Sequence, residues 1–282
     1  MKIGIDEGGY ISRYGFEKGL EKMKAHGYDT LDFQEFVDTD NEIFFLNDGA
    51  FERNLLEKRA MAEAAGIEII QAHGPWRWPP RDFSEEDRAE RFEKMSRSIA
   101  GTKILGCKNF VIHPIMPFGD DSDPEPERLW EMNYEFMGRL ADTAADNGIT
   151  VCFENMPMTR LSLSTPAQIL SFVKTLNRDN FKICLDTGHC AVFRMQPGEA
   201  VRLIGRELLQ VLHVHDNNGY SDLHWIPYTG FIDWEDFSNA LQEIGFEGSV
   251  SLETSVPGKI PGEFREQMEL VLAGMARKIA RL

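Results

Sequence analysis

The chain has 282 residues, of which 42% are hydrophobic, so a disordered tail protein and a small disulfide scaffold are both excluded. Thirty lysines and arginines against 46 aspartates and glutamates give a net charge of −16, which makes nucleic acid a disfavoured partner. The four cysteines stand singly, and no apolar run approaches the roughly 20 residues of a membrane span. We therefore expect a cytoplasmic protein with reduced thiols and no membrane contact.

Eight short runs of β-type residues alternate along the chain with stretches of helical periodicity. The predicted strands cover residues 2–5, 30–33, 67–72, 109–113, 150–154, 182–186, 211–215 and 249–253. Eight strand–helix units in this length predict an α/β fold, a single (β/α)8 TIM barrel, with residues 1–282 in one domain. A doubly wound open sheet is the alternative, but the Gly-x-Gly-x-x-Gly turn that this fold carries after an early strand is missing.

Helix boundaries are also readable between the predicted strands. Gly27, Gly66 and Gly148 each follow a helical stretch and are predicted to end it. Ser84, which precedes two glutamates, and Thr165, which precedes a proline, are predicted to begin two further helices. The long polar and Pro-rich connections come directly after strands. They therefore lie on the face of the barrel where barrel enzymes carry their active sites.

Side chains that can bind metal follow six successive predicted strands. In a parallel barrel the carboxyl ends of all strands lie on one face, so these side chains converge although they are distant in sequence. Imidazole and carboxylate donors without thiolates suit manganese, zinc, magnesium, cobalt or iron. The side chains concerned are those of His73, His113, Glu154, Asp186, His189, His213, His215 and Glu253.

Four motifs at these strand ends carry a resemblance to a known family: Glu154-Asn155, Asp186-Thr187-Gly188-His189, His213-x-x-Asp216 and Glu253. Across essentially its whole length the sequence resembles the xylose isomerase-like barrels, which include sugar isomerases and epimerases, inosose dehydratase and the endonuclease IV proteins. The resemblance implies that Glu154, Asp186, His213 and Glu253 hold a divalent metal ion, with Mn²⁺ as the first expectation. His215 is the alternative to His213, because residues two apart face the same side of a strand.

Further residues match the three-metal arrangement of endonuclease IV. The resemblance therefore implies between one and three metal ions per chain. The alternative is that these side chains bind the hydroxyl groups of a substrate or orient the ligands of a single metal ion. The matching residues are His73, His113, His189, Asp222 and His224.

The predicted reaction removes a proton next to the carbonyl of a sugar or polyol, through a metal-stabilised enediolate, and gives isomerisation or epimerisation. Glu154 and Glu253 are the expected acid and base. Dehydration or lyase chemistry on a keto-sugar or inosose is one alternative, because it begins with the same proton removal. Phosphodiester cleavage at several metal ions, as in endonuclease IV, is the other alternative, and the negative net charge disfavours it.

The predicted partner is a small carbohydrate or polyol, since aromatic rings stack on sugar faces and polar side chains bind hydroxyl groups. Exposed aromatic residues at the rim are also compatible with a homodimer. The ketose 3-epimerases carry an arginine after the histidine of strand seven and a second glutamate after strand five. This sequence has asparagines, glycine, methionines and proline there, which counts against 3-epimerisation of a free ketose. The residues expected to contact substrate are Trp76, Arg77, Asn155, Asn217 and Trp225.

Overall fold

The computed structural model describes residues 1–282 and contains eight parallel β-strands. Each strand is hydrogen bonded to its sequence neighbour, and β1 is also paired with β8. The barrel closes between β7 and β8, where the Val214 amide donates to the Ser251 carbonyl and the Glu253 amide donates to the Val214 carbonyl. The strands are β1 (Lys2–Asp6), β2 (Thr30–Phe33), β3 (Glu68–His73), β4 (Asn109–Ile112), β5 (Thr150–Glu154), β6 (Phe181–Asp186), β7 (Leu209–His213) and β8 (Ser249–Leu252).

Helices connect the strands and form the outer layer. They are α1 (Gly8–Tyr14), α2 (Phe16–His26), α3 (Asp48–Ala65), α4 (Glu85–Ile104), α5 (Pro126–Asn147), α6 (Pro166–Leu176), α7 (Thr187–Val192), α8 (Pro197–Ile204), α9 (Trp234–Glu243) and α10 (Gly262–Ala280), with a 3₁₀ turn at Glu42–Phe45. The predicted (β/α)8 barrel is confirmed, and the doubly wound open sheet is wrong. No helix is both long enough and apolar enough to cross a membrane.

The predicted helix boundaries agree with the structure. Gly27, Gly66 and Gly148 follow α2, α3 and α5 with φ angles of 93°, 69° and 70°, a backbone conformation that only glycine adopts readily. The side chains of Ser84 and Thr165 accept hydrogen bonds from backbone amides in the first turns of α4 and α6. The three glycines therefore mark where the chain leaves a helix, and Ser84 and Thr165 mark where it enters one.

Three strands end before the predicted residue, whereas β1 and β3 each extend one residue beyond it. β4 ends at Ile112, β7 ends at His213 and β8 ends at Leu252, so His113, His215 and Glu253 lie just beyond their strands. The chain leaves β7 because the amide of His215 donates to the Thr187 hydroxyl instead of to a neighbouring strand. These side chains therefore belong to the rim of the barrel.

Below the rim, the side of the barrel interior formed by β4 to β7 is apolar. Val111, Cys152, Cys184 and Val211 form a small cluster of their own, separate from the large core between strands and helices. All four cysteines are buried and unpaired, as expected from their isolated positions in the sequence. Above the small cluster the barrel holds polar side chains.

Candidate metal centre

Four side chains at the ends of β5 to β8 form a central group. Each of Glu154, Asp186, His213 and Glu253 places a potential ligand atom within 4.8 Å of those of the other three. The first three side chains are fully buried, whereas the Glu253 side chain is 20% exposed. These are the four residues that the family resemblance pairs with a metal ion, and the fold brings them together.

His213 lies between carboxylates on both sides of its ring. Its Nδ1 atom is 2.9 Å from Glu154 Oε1 and 3.2 Å from Glu253 Oε2. On the opposite side, Nε2 donates to Asp32 Oδ2 at 3.0 Å, and Asp32 also accepts from the amide of Gln71. A carboxylate behind an imidazole is the usual arrangement for a metal-binding histidine, because it fixes the ring and leaves the other nitrogen free.

Asp32 is a functional residue that sequence reasoning missed. It is 1% exposed and lies in β2, a strand of four buried residues. A carboxylate in such a strand is almost never fully buried unless it is paired. The acidic residue between the apolar residues Leu31 and Phe33 was therefore the feature of the sequence that could have identified it.

A divalent metal ion fits the donors of the central group. Glu253 Oε2 is buried and makes no hydrogen bond, and a buried carboxylate oxygen left without a partner is costly. The donors are one imidazole nitrogen and carboxylate oxygens, without thiolate, a set that suits Mn²⁺, Mg²⁺, Fe²⁺, Co²⁺ or Zn²⁺. A metal ion would satisfy the free oxygen of Glu253.

Four further histidines share one hydrogen-bonding pattern. In each of them Nδ1 faces a backbone carbonyl, at distances of 2.6 to 3.3 Å. A carbonyl can only accept, so Nδ1 carries a proton, and Nε2 is the ring nitrogen that faces the site. The residues and their acceptors are His73 with Gly74, His189 with Asn155, His215 with Asp216, and His224 with Glu253.

One pair of histidines flanks the central group on the side of β3 and β4. His73 Nε2 and His113 Nε2 are 3.2 Å apart, and they lie 3.5 and 3.0 Å from Glu154 Oε2. Two nitrogens and a carboxylate oxygen converge there. We refer to His73, His113 and Glu154 as the β3–β4 group.

A second cluster flanks the central group on the side of the loop after β7. Asp222 Oδ2 is 3.3 Å from His189 Nε2 and 3.3 Å from His224 Nε2. Asp222 Oδ1 is buried without a hydrogen bond and lies 3.6 Å from His215 Nε2. We refer to His189, Asp222 and His224 as the loop group, which the fold assembles from α7 and the loop between β7 and α9.

The two histidines of β7 and its end take different positions. His213 is part of the central group with Glu154 and Glu253, whereas His215 Nε2 lies 3.0 Å from Asp186 Oδ2. His215 also stacks on His224, with ring centroids 4.0 Å apart. The geometry therefore favours His213 over His215 as the partner of the two glutamates.

Electrostatics separates the two glutamates. Burial acts to raise the pKa of Glu154, but His213 and His113 lower it well below the usual value. Burial raises the pKa of Glu253, and the opposing effects of His213 and His224 do not cancel the rise. Before any metal binds, Glu154 is therefore the stronger acid of the two carboxyl groups.

Two cavities open onto these groups. The first, here called the metal cavity, has a volume of about 450 Å³ and is lined by His73, His113, Glu154 and Glu253, among others. The second, here called the side cavity, has a volume of about 780 Å³ and lies against the ends of β1 and β8. Asp6 lines the side cavity, and burial, together with Glu253 and Asp32, raises the pKa of Asp6 to about 7.

The predicted substrate residues divide between these cavities and the protein interior. Trp76 lines the metal cavity and packs edge-on against His113 at 4.5 Å between ring centroids. Trp225 lines the side cavity and is 41% exposed. The fold therefore brings both tryptophans to places where a substrate can reach them.

The other three predicted substrate residues need correction. Asn155 and Asn217 are fully buried, and both ends of each amide are bonded to backbone groups, so neither amide is free for a ligand. Arg77 donates to the Thr39 hydroxyl and pairs with Glu90 of α4, and it lines neither the metal cavity nor the side cavity. Their sequence positions beside the strand ends did not reveal these local bonds.

The chain belongs to the xylose isomerase-like TIM barrel family, whose model matches residues 20–273. The ketose 3-epimerase of Arthrobacter globiformis is 28% identical, over 90% of this chain and 83% of the relative. The inosose isomerase of Bacillus licheniformis is 24% identical, over 91% and 90%. A crystal structure of the IOLI protein with a zinc atom has a TM-score of 0.76 at 22% identity, covering 99% of this chain and 96% of that one. The predicted class, an isomerase or epimerase, agrees with these relatives.

Proposed function

We propose that the chain is a divalent-metal-dependent isomerase or epimerase that moves a proton next to the carbonyl of a sugar or polyol. The observation that carries the proposal is the placement of Glu154 and Glu253 beside the same imidazole, His213, with pKa values displaced in opposite directions. Titratable pairs whose surroundings separate their pKa values are the usual acid and base of enzymes. The ketose 3-epimerase and inosose isomerase relatives support the same class.

The two glutamates divide the proton transfer between them. Glu154 is ionised at neutral pH and is suited to accept the proton next to the carbonyl. Glu253 borders both cavities, so it is suited to deliver the proton to the neighbouring carbon in isomerisation, or to the opposite face of the same carbon in epimerisation. Both groups would also be ligands of the metal ion, together with Asp186 and His213.

A divalent ion, with manganese as the first choice, supplies Lewis-acid polarisation of a substrate oxygen when it is bound. The role of the chain is to hold the ligands and exclude water. Asp32 fixes the ring of His213, and the apolar cluster below closes the barrel. Trp76, Met156 and Met158 line the apolar side of the metal cavity.

The cavities favour an uncharged polyhydroxylated substrate. Neither cavity is lined by lysine or arginine, the residues that pair with phosphate. Carboxylates, imidazoles and hydroxyl groups are available for sugar hydroxyls, and Trp76 offers an aromatic face. We therefore place phosphosugars and nucleic acid behind neutral sugars as substrates.

Proton exchange is the experiment that tests this proposal. The manganese-loaded protein is incubated in deuterated water with ketoses, aldoses, inososes and keto-glycosides, and deuterium uptake is followed by NMR. We expect uptake next to a carbonyl, and Glu253→Gln should slow it about 100-fold or more, since that is the usual contribution of an acid or base. Glu247→Gln, at a side chain that is 85% exposed, is the matched control. No uptake across the panel, or full activity of Glu253→Gln, would refute the assignment.

The same experiment separates dehydration or lyase chemistry from isomerisation. Both begin with removal of the proton next to the carbonyl, but elimination also releases water or an aglycone. The NMR spectra of the products therefore identify which reaction completes the turnover.

Phosphodiester cleavage is the second candidate, and the β3–β4 group and the loop group favour it. They flank the central group and could hold two further metal ions, and clustered metals serve phosphoryl transfer. The net charge of −16 and the lack of cations in the cavities count against a nucleic acid substrate. Three metal ions per chain, with cleavage of an abasic-site oligonucleotide and no deuterium uptake, would favour this candidate.

A further inference from the structure

The side cavity is larger than a single sugar ring requires. The metal cavity alone, at about 450 Å³, falls within the range of roughly 300–1,000 Å³ that binds a whole small ligand. The side cavity adds about 780 Å³ beside it and is not lined by His73, His113 or Glu154. A monosaccharide held at the central group would leave this second space unused.

The two cavities meet at a shared wall. His224 and Glu253 line both of them. The wall is held by hydrogen bonds, because His224 Nδ1 donates to the Glu253 carbonyl at 2.8 Å and the Thr254 hydroxyl donates to the His224 carbonyl at 2.5 Å. His224 also has a φ angle of 46°, a left-handed conformation that is costly for a residue other than glycine and is concentrated at binding sites. A ligand that lies across His224 and Glu253 contacts both compartments.

The lining of the side cavity matches a neutral sugar unit. Trp225 offers an exposed aromatic face, and Asp6, Thr229 and Ser255 offer groups that bind hydroxyls. No lysine or arginine lines the cavity, so a phosphate or carboxylate substituent would find no cationic partner there. Gly9 and Ser255 approach closely in the lining, since a Cβ at Gly9 would lie 2.9 Å from Ser255 Cβ.

We infer that the substrate is a ketose that carries a second, uncharged sugar unit, with the ketose in the metal cavity and the second unit in the side cavity against Trp225. This inference rests on the proposed function for the reaction at the ketose. The side cavity then determines specificity, because it discriminates between a free ketose and one that is glycosylated. A free monosaccharide bound in the metal cavity would make no contact with Trp225.

Binding measurements test the inference independently of turnover. The manganese-loaded full chain is titrated by calorimetry with fructose, fructose 6-phosphate and four ketose disaccharides: turanose, maltulose, isomaltulose and lactulose. We expect at least one disaccharide to bind about tenfold more tightly than fructose, since a stacked ring and its hydroxyl contacts are added. Fructose 6-phosphate should bind no more tightly than fructose.

A cavity-filling variant links any preference to the side cavity. Ser255→Trp places a large ring where the second unit would lie and should remove most of the preference for the disaccharide, whereas Ser171→Trp on the exposed face of α6 should keep it. Equal binding of fructose and all disaccharides, no binding of any sugar, or an unchanged preference in Ser255→Trp would overturn the inference. Tighter binding of a disaccharide without deuterium uptake would support the second binding compartment and refute the proposed reaction.

Discussion

Asp32→Asn tests whether the carboxylate behind His213 sets the affinity of the metal centre. Asp32 Oδ2 accepts from both His213 Nε2 and Gln71 Nε2, and the side chains involved are buried, so water cannot take over. Loss of such a partner typically lowers metal affinity about 10- to 100-fold, which corresponds to about 1.4–2.7 kcal/mol. The asparagine oxygen can keep both hydrogen bonds without the charge, so we expect a loss near tenfold.

The assay is a manganese titration of metal-free protein against a competing chelator. Asp29→Asn is the matched control, because this aspartate precedes β2 at the opposite end of the barrel and accepts from the Ile3 amide. It removes the same charge without touching His213. Wild-type affinity in Asp32→Asn, or an equal loss in Asp29→Asn, would refute the argument that the negative charge of Asp32 behind His213 strengthens metal binding.

Three further predictions concern the metal-free protein and the surroundings of the site. Burial lowers the pKa of His189, but Asp186 and the other nearby carboxylates together more than offset this effect and the pKa rises from 6.5 to about 10. The protonated ring therefore stabilises the fold below pH 6.5, and this stabilisation should be lost as the pH rises towards 10. Thermal unfolding would show the loss as a falling Tm. In Gly188→Ala the new Cβ would lie 1.9 Å from the His215 ring, so that ring must move away and metal titration should show weaker binding. Arg91→Met leaves Asp82 buried without its cation and should cost about 3–5 kcal/mol, measured by denaturant unfolding; an unchanged midpoint would contradict it.

The convergence of the metal-binding residues could be predicted from the sequence. It follows from one geometric rule, that parallel strands end on a common face, applied to Glu154, Asp186 and His213 at the ends of β5, β6 and β7. The rule does not require exact strand limits. Glu253 and His113 join the site although each lies one residue beyond its strand.

The direction of individual polar side chains could not be predicted in the same way. Asn155 and Asn217 adjoin the site in sequence, but their amides bind the backbone at Asp186 and Gly188. These bonds depend on how adjacent loops pass each other, which strand order does not specify. The role of Asp32 could not be predicted for a related reason, since it depends on a contact with His213, which lies 181 positions away in the sequence.

The segment from His213, the last residue of β7, to Asp216 connects the metal centre to the side cavity. His213 faces the glutamates, whereas the Asp216 carboxylate accepts from the Gly230 amide and from the Trp234 indole, which fastens the loop before α9. The Asp216 backbone also pairs with Trp225 in both directions. One short segment therefore positions a metal ligand and the aromatic face of the second compartment. Because His213 is held within β7 whereas Trp225 lies on the loop that Asp216 fastens, altering Asp216 should weaken binding of the second sugar unit more than binding of the metal ion.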